Sequence, residues 1–401
     1  MVRKCFYILF LLVICYNSVL GQNSSNTAVL RYFKALNLLQ NNMKDSAIYE
    51  LNFCNNDVQC MLLKGKIYFE NGDYSKAIVT FKSASEKETK LSSYFLSLIY
   101  AELGFAEESV FWLEKYFENK NPEFYSQIIA NKEFENINKS AEWKNFWAAK
   151  RYSKDYEKLE EINYLITTQK YDDAFVELEK IKTPSITFLK NYYYALIYNN
   201  INDNNKAKKY IELSISVNSN FIKSNELKLK IEKEDKDYKN CNKTVDKLFE
   251  IDQYNPQHLV EKAEICYHLK DYSTAEKYIS NYTNYFPSDE VAQYLKVQIL
   301  TNNKKPLEAL KTLNVLIESH PKSEYFEQRA NIHYDFENWD FARKDYSMAL
   351  DISPNNAEVN YKMAMCYYRQ NNIEKACHYC EKAANAKHRQ AARFYYENCG
   401  K

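Results

Sequence analysis

A small side chain followed four residues later by a bulky one recurs along this chain at a nearly fixed interval. Ala77 with Phe81 and Ala342 with Tyr346 are clear examples. The same place is held by Ala47, Ser109, Ala174, Ala207, Cys241, Ala275, Ala309 and Ala376. From Ala174 onward the successive spacings are 33, 34, 34, 34, 33 and 34 residues. A fixed period of this length means stacked copies of one supersecondary unit, none of which buries its apolar face alone. The 401 residues include 5 glycines and 7 prolines. That is too few for the many turns of a strand-rich fold. Long helices joined by short connections are expected.

Other markers keep step with the first. Twelve positions before it stands another small residue, as at Gly65, Ala195, Ala263, Ala330 and Ala364. Three residues later comes Tyr68, Tyr198, Cys266, His333 or Tyr367, and twelve after the marker comes Pro287, Pro321 or Pro354. Two antiparallel helices approach closely only where both carry small side chains, and larger residues then fill the grooves on either side. Proline lacks an N–H and ends the second helix. Asp or Asn at the turn, as in Asn71-Gly72-Asp73-Tyr74, starts that helix.

This layout resembles the tetratricopeptide repeat over nearly all of residues 28–387. Ser109 and Cys241 depart from the marker alanine, and the first-helix Trp of the family is absent. The resemblance implies an all-α fold, a right-handed α-solenoid of about ten helical hairpins with a C-terminal capping helix. The expected layout is an N-terminal repeat block at 28–120 and a helical spacer at 121–153. A C-terminal repeat block at 154–387 and a cap at 388–401 follow. The spacer carries Trp143 and Trp147 on one face and is placed to bend the stack or divide it into two lobes. Ala391, Phe394 and Tyr395 are placed to cover the last apolar face.

Residues 1–21 have the layout of a secretory signal peptide. Arg3 and Lys4 precede the apolar run Cys5 to Tyr16, and Val19-Leu20-Gly21 supplies the modest side chains of a cleavage site. The run is short of the roughly 20 residues that span a bilayer. An exported chain, periplasmic or extracellular and envelope-associated, is expected to begin at Gln22 with a short tail, 22–27. No stable membrane insertion is expected after cleavage.

Eight of the 10 cysteines lie beyond that segment, and in an exported chain they are expected to pair. Residues facing each other across an antiparallel turn have numbers summing to about twice that of the turn. The rule pairs Cys54 with Cys60, Cys241 with Cys266, and Cys377 with Cys399. Cys366 then fits Cys380, although Cys377 fits the same turn. Cys377-x-x-Cys380 near His378 and His388 lacks the second pair usual for structural zinc, so neither metal nor cofactor is expected.

The sequence holds no Gly-rich phosphate loop and no H-E-x-x-H or G-x-S-x-G, so no catalytic residue is assigned. With 54 Lys and Arg against 53 Asp and Glu, there is no basic excess for nucleic acid. The resemblance instead implies a concave face lined by the first helices. In the last four repeats that face takes Glu264 and Tyr267, Tyr294 and Gln298, Asn331 and Tyr334, then Tyr361, Met365, Tyr368 and Arg369. Tyrosines with polar partners suit other proteins, as extended peptides or exposed helices. Glu327 stands where a clamp for acidic tails needs Lys. The expected role is a non-catalytic scaffold or adaptor of the cell envelope. A glycan- or cell-wall-binding module using the same tyrosines is the alternative.

Overall fold

The computed structural model describes residues 27–118, 128, 131–149 and 154–399. The expected signal segment and its cleavage site lie outside these residues. The described residues form ten α-helical hairpins, a short helix Ala141–Ala148 between the third and fourth, and one terminal helix, and no strand occurs among them.

The chain divides into two compact units, one running to Pro256 and one from Gln257. The first holds six hairpins. They span 27–51, Val58–Glu70 with Tyr74–Ser85, Thr89–Glu102 with Ala106–Glu118, Lys154–Thr167 with Tyr171–Glu179, Thr187–Asn200 with Asn204–Val217, and Ile222–Glu234 with Tyr238–Ile251. The second holds four. They are Gln257–His268 with Tyr272–Tyr285, Glu290–Asn302 with Pro306–Ser319, Ser323–Asp335 with Trp339–Ile352, and Ala357–Arg369 with Ile373–Asn385. The helix Arg389–Asn398 follows.

The sequence markers explain the hairpins. Ala47, Ala77, Ser109, Ala174, Ala207, Cys241, Ala275, Ala309, Ala342 and Ala376 are all fully buried. Ala330 and Ala342 share one core cluster with Tyr346 and Ala349, the close approach that two small residues permit. Each hairpin turns on one residue in the left-handed region, among them Gly72, Gly104, Lys270 and Lys304, with φ between 57° and 77°. An Asp or Asn beside it then caps the second helix. Asp73, Asp203, Asp237, Asp271 and Asn372 each accept a backbone N–H from the first turn.

The segment expected as a spacer lies inside the first unit. Its described part contains a short 3₁₀ turn, Lys132–Asn136, and the helix Ala141–Ala148. Phe134, Ile137, Trp143 and Phe146 are buried in one cluster with Leu98, Ala101, Leu113 and Tyr116. They cover the open flank of the Thr89–Glu118 hairpin. Trp147 packs against the same cluster and remains partly exposed. The division between the compact units falls at Pro256, about a hundred residues further on.

The cap behaves as the sequence indicates. Ala391 is fully buried against Ala364, Cys380 and Ala383, with Phe394 and Tyr395 packed alongside. A Cys377–Cys399 disulfide, Cα to Cα 5.6 Å, ties the cap to the last hairpin. A second disulfide joins Cys54 and Cys60. Two expected pairings are corrected. Cys241 and Cys266 are buried thiols, as are Cys366 and Cys380. The sum rule fixes a level along the helices but not a face. Cys241 is a marker residue, fully buried within its own hairpin beside Glu232. Burial pushes the Cys366 thiol up to about 12, and those of Cys241 and Cys380 up to about 11. Such thiols are inert at neutral pH.

Candidate functional site

The first helices of the second unit carry the expected stripe, and the structure places each member. Tyr267 is half-buried, and the Asn302 amide donates to its hydroxyl at 3.4 Å. Tyr294 is also half-buried. Its ring lies 5.0 Å from that of Tyr325, and its hydroxyl is paired with Gln298. Tyr325 is buried and donates to Glu290. Tyr334 packs edge-on against Trp339 at 5.1 Å, with the Lys362 ammonium 4.9 Å from its ring centre. Glu264 is half-buried on the same helix as Tyr267.

Other members of the stripe have structural partners. Asn331 accepts a hydrogen bond from the buried Tyr346 hydroxyl at 2.7 Å. Tyr361 stacks on His388 at 4.6 Å, and Tyr368 meets Phe394 edge-on at 5.0 Å. Met365 packs under the cap as well. Arg369 is exposed at the end of its helix. The cap therefore engages most of the fourth repeat's share, leaving Tyr267, Tyr294 and Tyr334 as the aromatic part of the face.

Carboxylates accompany these rings, and the sequence reading gave them little weight. Burial pushes the Tyr294 phenol up, and Glu324 and Glu327 add to the shift. Burial likewise raises Glu327, which accepts from Asn356 at 3.0 Å and has Glu358 and Glu324 nearby. Their signal was the recurrence of Glu290, Glu324 and Glu358 at intervals of 34 residues. The face is thus aromatic and acidic, with Lys362 and Arg369 as basic counterweights.

Among the described residues no group of three His, Cys, Asp or Glu is placed to hold a metal ion. Cys377 of the C-x-x-C is taken by Cys399, and Cys380 is buried. Among the same residues no helix is long and apolar enough to cross a membrane.

Helical hairpins stacked through small-residue seams, presenting a face rather than a deep cleft, define a helical-repeat protein. Residues 58–86 and 191–221 match one family model described as tetratricopeptide repeat, and 358–386 match another. These three segments are tetratricopeptide repeats. Similar solved structures include a tetratricopeptide repeat protein from Parabacteroides merdae, at 15% identity and TM-score 0.45, covering 61% of this chain and 98% of that one. MamA from Desulfovibrio magneticus is similar at 14% identity and TM-score 0.40, covering 41% and 94%. YrrB, described as a TPR protein with an unusual peptide-binding site, is similar at 16% identity and TM-score 0.39, covering 47% and 97%. No curated protein matches the sequence.

Proposed function

We propose that this protein is a non-catalytic scaffold that binds another protein on the first-helix face of its second unit. The observation that carries the reading is the run of half-buried tyrosines Tyr267, Tyr294 and Tyr334 on three successive first helices. Each ring is held by a neighbour yet keeps part of its surface exposed, and rigid aromatic anchors of this kind concentrate binding energy. Residues Glu264, Gln298 and Arg369 supply polar contacts around them.

Export to an oxidising compartment belongs to the same proposal. The apolar run after Arg3 and Lys4 supports it, as do the Cys54–Cys60 and Cys377–Cys399 disulfides. Affinity purification from the native cell envelope, with photo-crosslinkers at Tyr294 and separately at the exposed Lys277, tests the reading. One defined protein crosslinked from Tyr294 but not from Lys277 is expected. Crosslinking from Lys277 alone would place binding elsewhere. Intact mass before and after reduction tests export, and a chain that retains residues 1–21 with all ten thiols free would refute it.

A further inference from the structure

Three repeats can be compared position by position, because the small residues Gly65, Ala195 and Ala364 and the markers Ala77, Ala207 and Ala376 fix their alignment. Tyr68 corresponds to Tyr198 and Tyr367, Lys76 to Lys206 and Lys375, and Thr80 to Tyr210 and Tyr379. In the second of these repeats Tyr210 stacks on Tyr198 at 5.5 Å and 13°, while Lys206 lies 5.0 Å from the Tyr198 ring centre. In the third, Tyr379 stacks on Tyr367 at 5.6 Å and 10°, with Lys375 at 5.4 Å. Tyrosine and lysine therefore fit around one ring together.

In the first repeat Thr80 stands where the stacking ring would be. Tyr68 keeps its lysine, Lys76, at 5.5 Å, but its stacking partner is missing. An open surface pocket of about 310 Å³, lined by Lys64, Tyr68, Ser75, Lys76, Val79 and Thr80, occupies the place. A second difference gives it charge. Tyr194, which stacks on Tyr210 at 4.7 Å, is replaced by Lys64. Lys76 is answered by Asp73 at 2.6 Å. Lys64 has a neutral partner, donating to Asn55 Oδ1 at 3.2 Å, and burial lowers its pKa. Asn55 lies inside the loop closed by Cys54–Cys60, which holds this arrangement in place.

We infer that this open pocket is a binding site for an aromatic ring bearing a carboxylate, either a free aromatic acid or the C-terminal Phe or Tyr of a peptide. The ring takes the place of the missing tyrosine against Tyr68, and the carboxylate pairs with Lys64. An offset-stacked ring on an aromatic floor is favourable beyond the area it buries. A charge-assisted hydrogen bond to the ammonium adds selectivity for the anion. The site lies in the first unit and does not depend on the groove of the second.

The test titrates the full chain with N-acetylphenylalanine, its uncharged amide, a short peptide ending in Phe, and methyl glucuronide, read by saturation-transfer NMR and calorimetry. Saturable binding of N-acetylphenylalanine is expected, with the amide weaker by at least about tenfold, the worth of one charged hydrogen bond. Thr80→Tyr restores the ring that the other repeats carry, so the variant should fold normally and lose the binding. Lys64→Met, the residue at the matching Met363, should bind the acid and the amide alike. Tighter binding of the peptide than of N-acetylphenylalanine identifies a chain terminus as the source, and equal binding identifies a free acid. Absence of saturable binding, unchanged binding in Thr80→Tyr, or preference for the glucuronide would overturn the inference.

Discussion

The hydroxyl of Tyr254 donates a hydrogen bond of 2.5 Å to the carboxylate of Asp57, 197 residues away in the chain. Tyr32 meets the Tyr254 ring edge-on at 5.0 Å. Asp57 also caps the helix Val58–Glu70 by accepting from the Cys60 N–H at 3.0 Å, inside the Cys54–Cys60 loop. One carboxylate thus serves the second hairpin and ties it to the end of the sixth. A hydrogen bond to a charged group contributes about 2 kcal/mol, so Tyr254→Phe should lower the stability of the first unit by roughly that amount. Burial and Asp57 hold the phenol above its ordinary range. The contribution is therefore complete at neutral pH and fades only as pH rises beyond the unfolded-state value near 10. Denaturant melts at pH 7 and pH 10.5 check both statements. The gap between wild type and Tyr254→Phe should narrow at the higher pH.

Half-buried Arg329 and buried Asp345 form a fork. Nε and Nη2 donate to the two carboxylate oxygens at 2.8 and 2.7 Å, and Nη1 reaches Asn314 at 2.7 Å. Three helices of the second unit meet there. Removing the arginine strands the buried carboxylate, so Arg329→Met should cost about 3 kcal/mol in thermal unfolding. Arg329→Met with Asp345→Leu should recover most of that loss, because the cost lies in the unpaired charge.

Asp155 holds the connection after Tyr171–Glu179. It accepts from the Lys182 and Thr183 N–H groups at 2.9 Å each and from the Thr183 hydroxyl at 2.8 Å, with Lys158 at 3.1 Å. These donors outweigh burial and hold its pKa well below the usual carboxylate range. The stabilisation is complete above the unfolded-state pKa near 4 and is lost as pH falls toward the folded value. Asp155→Asn should cost about 2 kcal/mol at pH 7. Its unfolding midpoint should also depend less on pH between 5 and 2 than that of wild type.

Gly65 stands where the first helix crosses its partner. A Cβ there would lie 2.7 Å from the nearest atom of the Phe81 ring. Phe81 is fully buried and stacked on Phe95 at 4.9 Å, so it cannot retreat. Alanine gains about 1 kcal/mol of helix propensity over glycine, but overpacking costs about 1–3 kcal/mol. Gly65→Ala should therefore lower the melting temperature. A rise would show that the seam has slack.

The hairpins were legible because each marker combines a size constraint with a fixed interval. Ala342 against Ala330 is a steric rule visible in one dimension. The cap was legible for the same reason, through Ala391 and Phe394. Cysteine pairing was only half legible. Cys377–Cys399 and Cys54–Cys60 are bridged across short connections, whereas Cys241 is a buried thiol packed into its own hairpin beside Glu232, on a helix face that a sum of residue numbers ignores. The stripe was legible as positions but not as availability. Nothing in the sequence signals that His388 would stack on Tyr361 or that Asn331 would satisfy Tyr346. The Tyr254–Asp57 bond was not legible either, since no local pattern links residues so far apart.

The central claim is that Tyr267, Tyr294 and Tyr334 anchor a protein partner. The direct measurement is the dissociation constant of the partner crosslinked from Tyr294, by calorimetry, against wild type and the triple variant Tyr267→Ala, Tyr294→Ala, Tyr334→Ala. The control changes Lys277, Lys311 and Lys344 to Ala, all exposed on second helices of the same unit. Each tyrosine singly should cost about 1–2 kcal/mol of binding. The triple variant should show no measurable binding with its helical circular dichroism unchanged, and the lysine control should bind as wild type does. Unaltered affinity in the tyrosine variant would contradict the account.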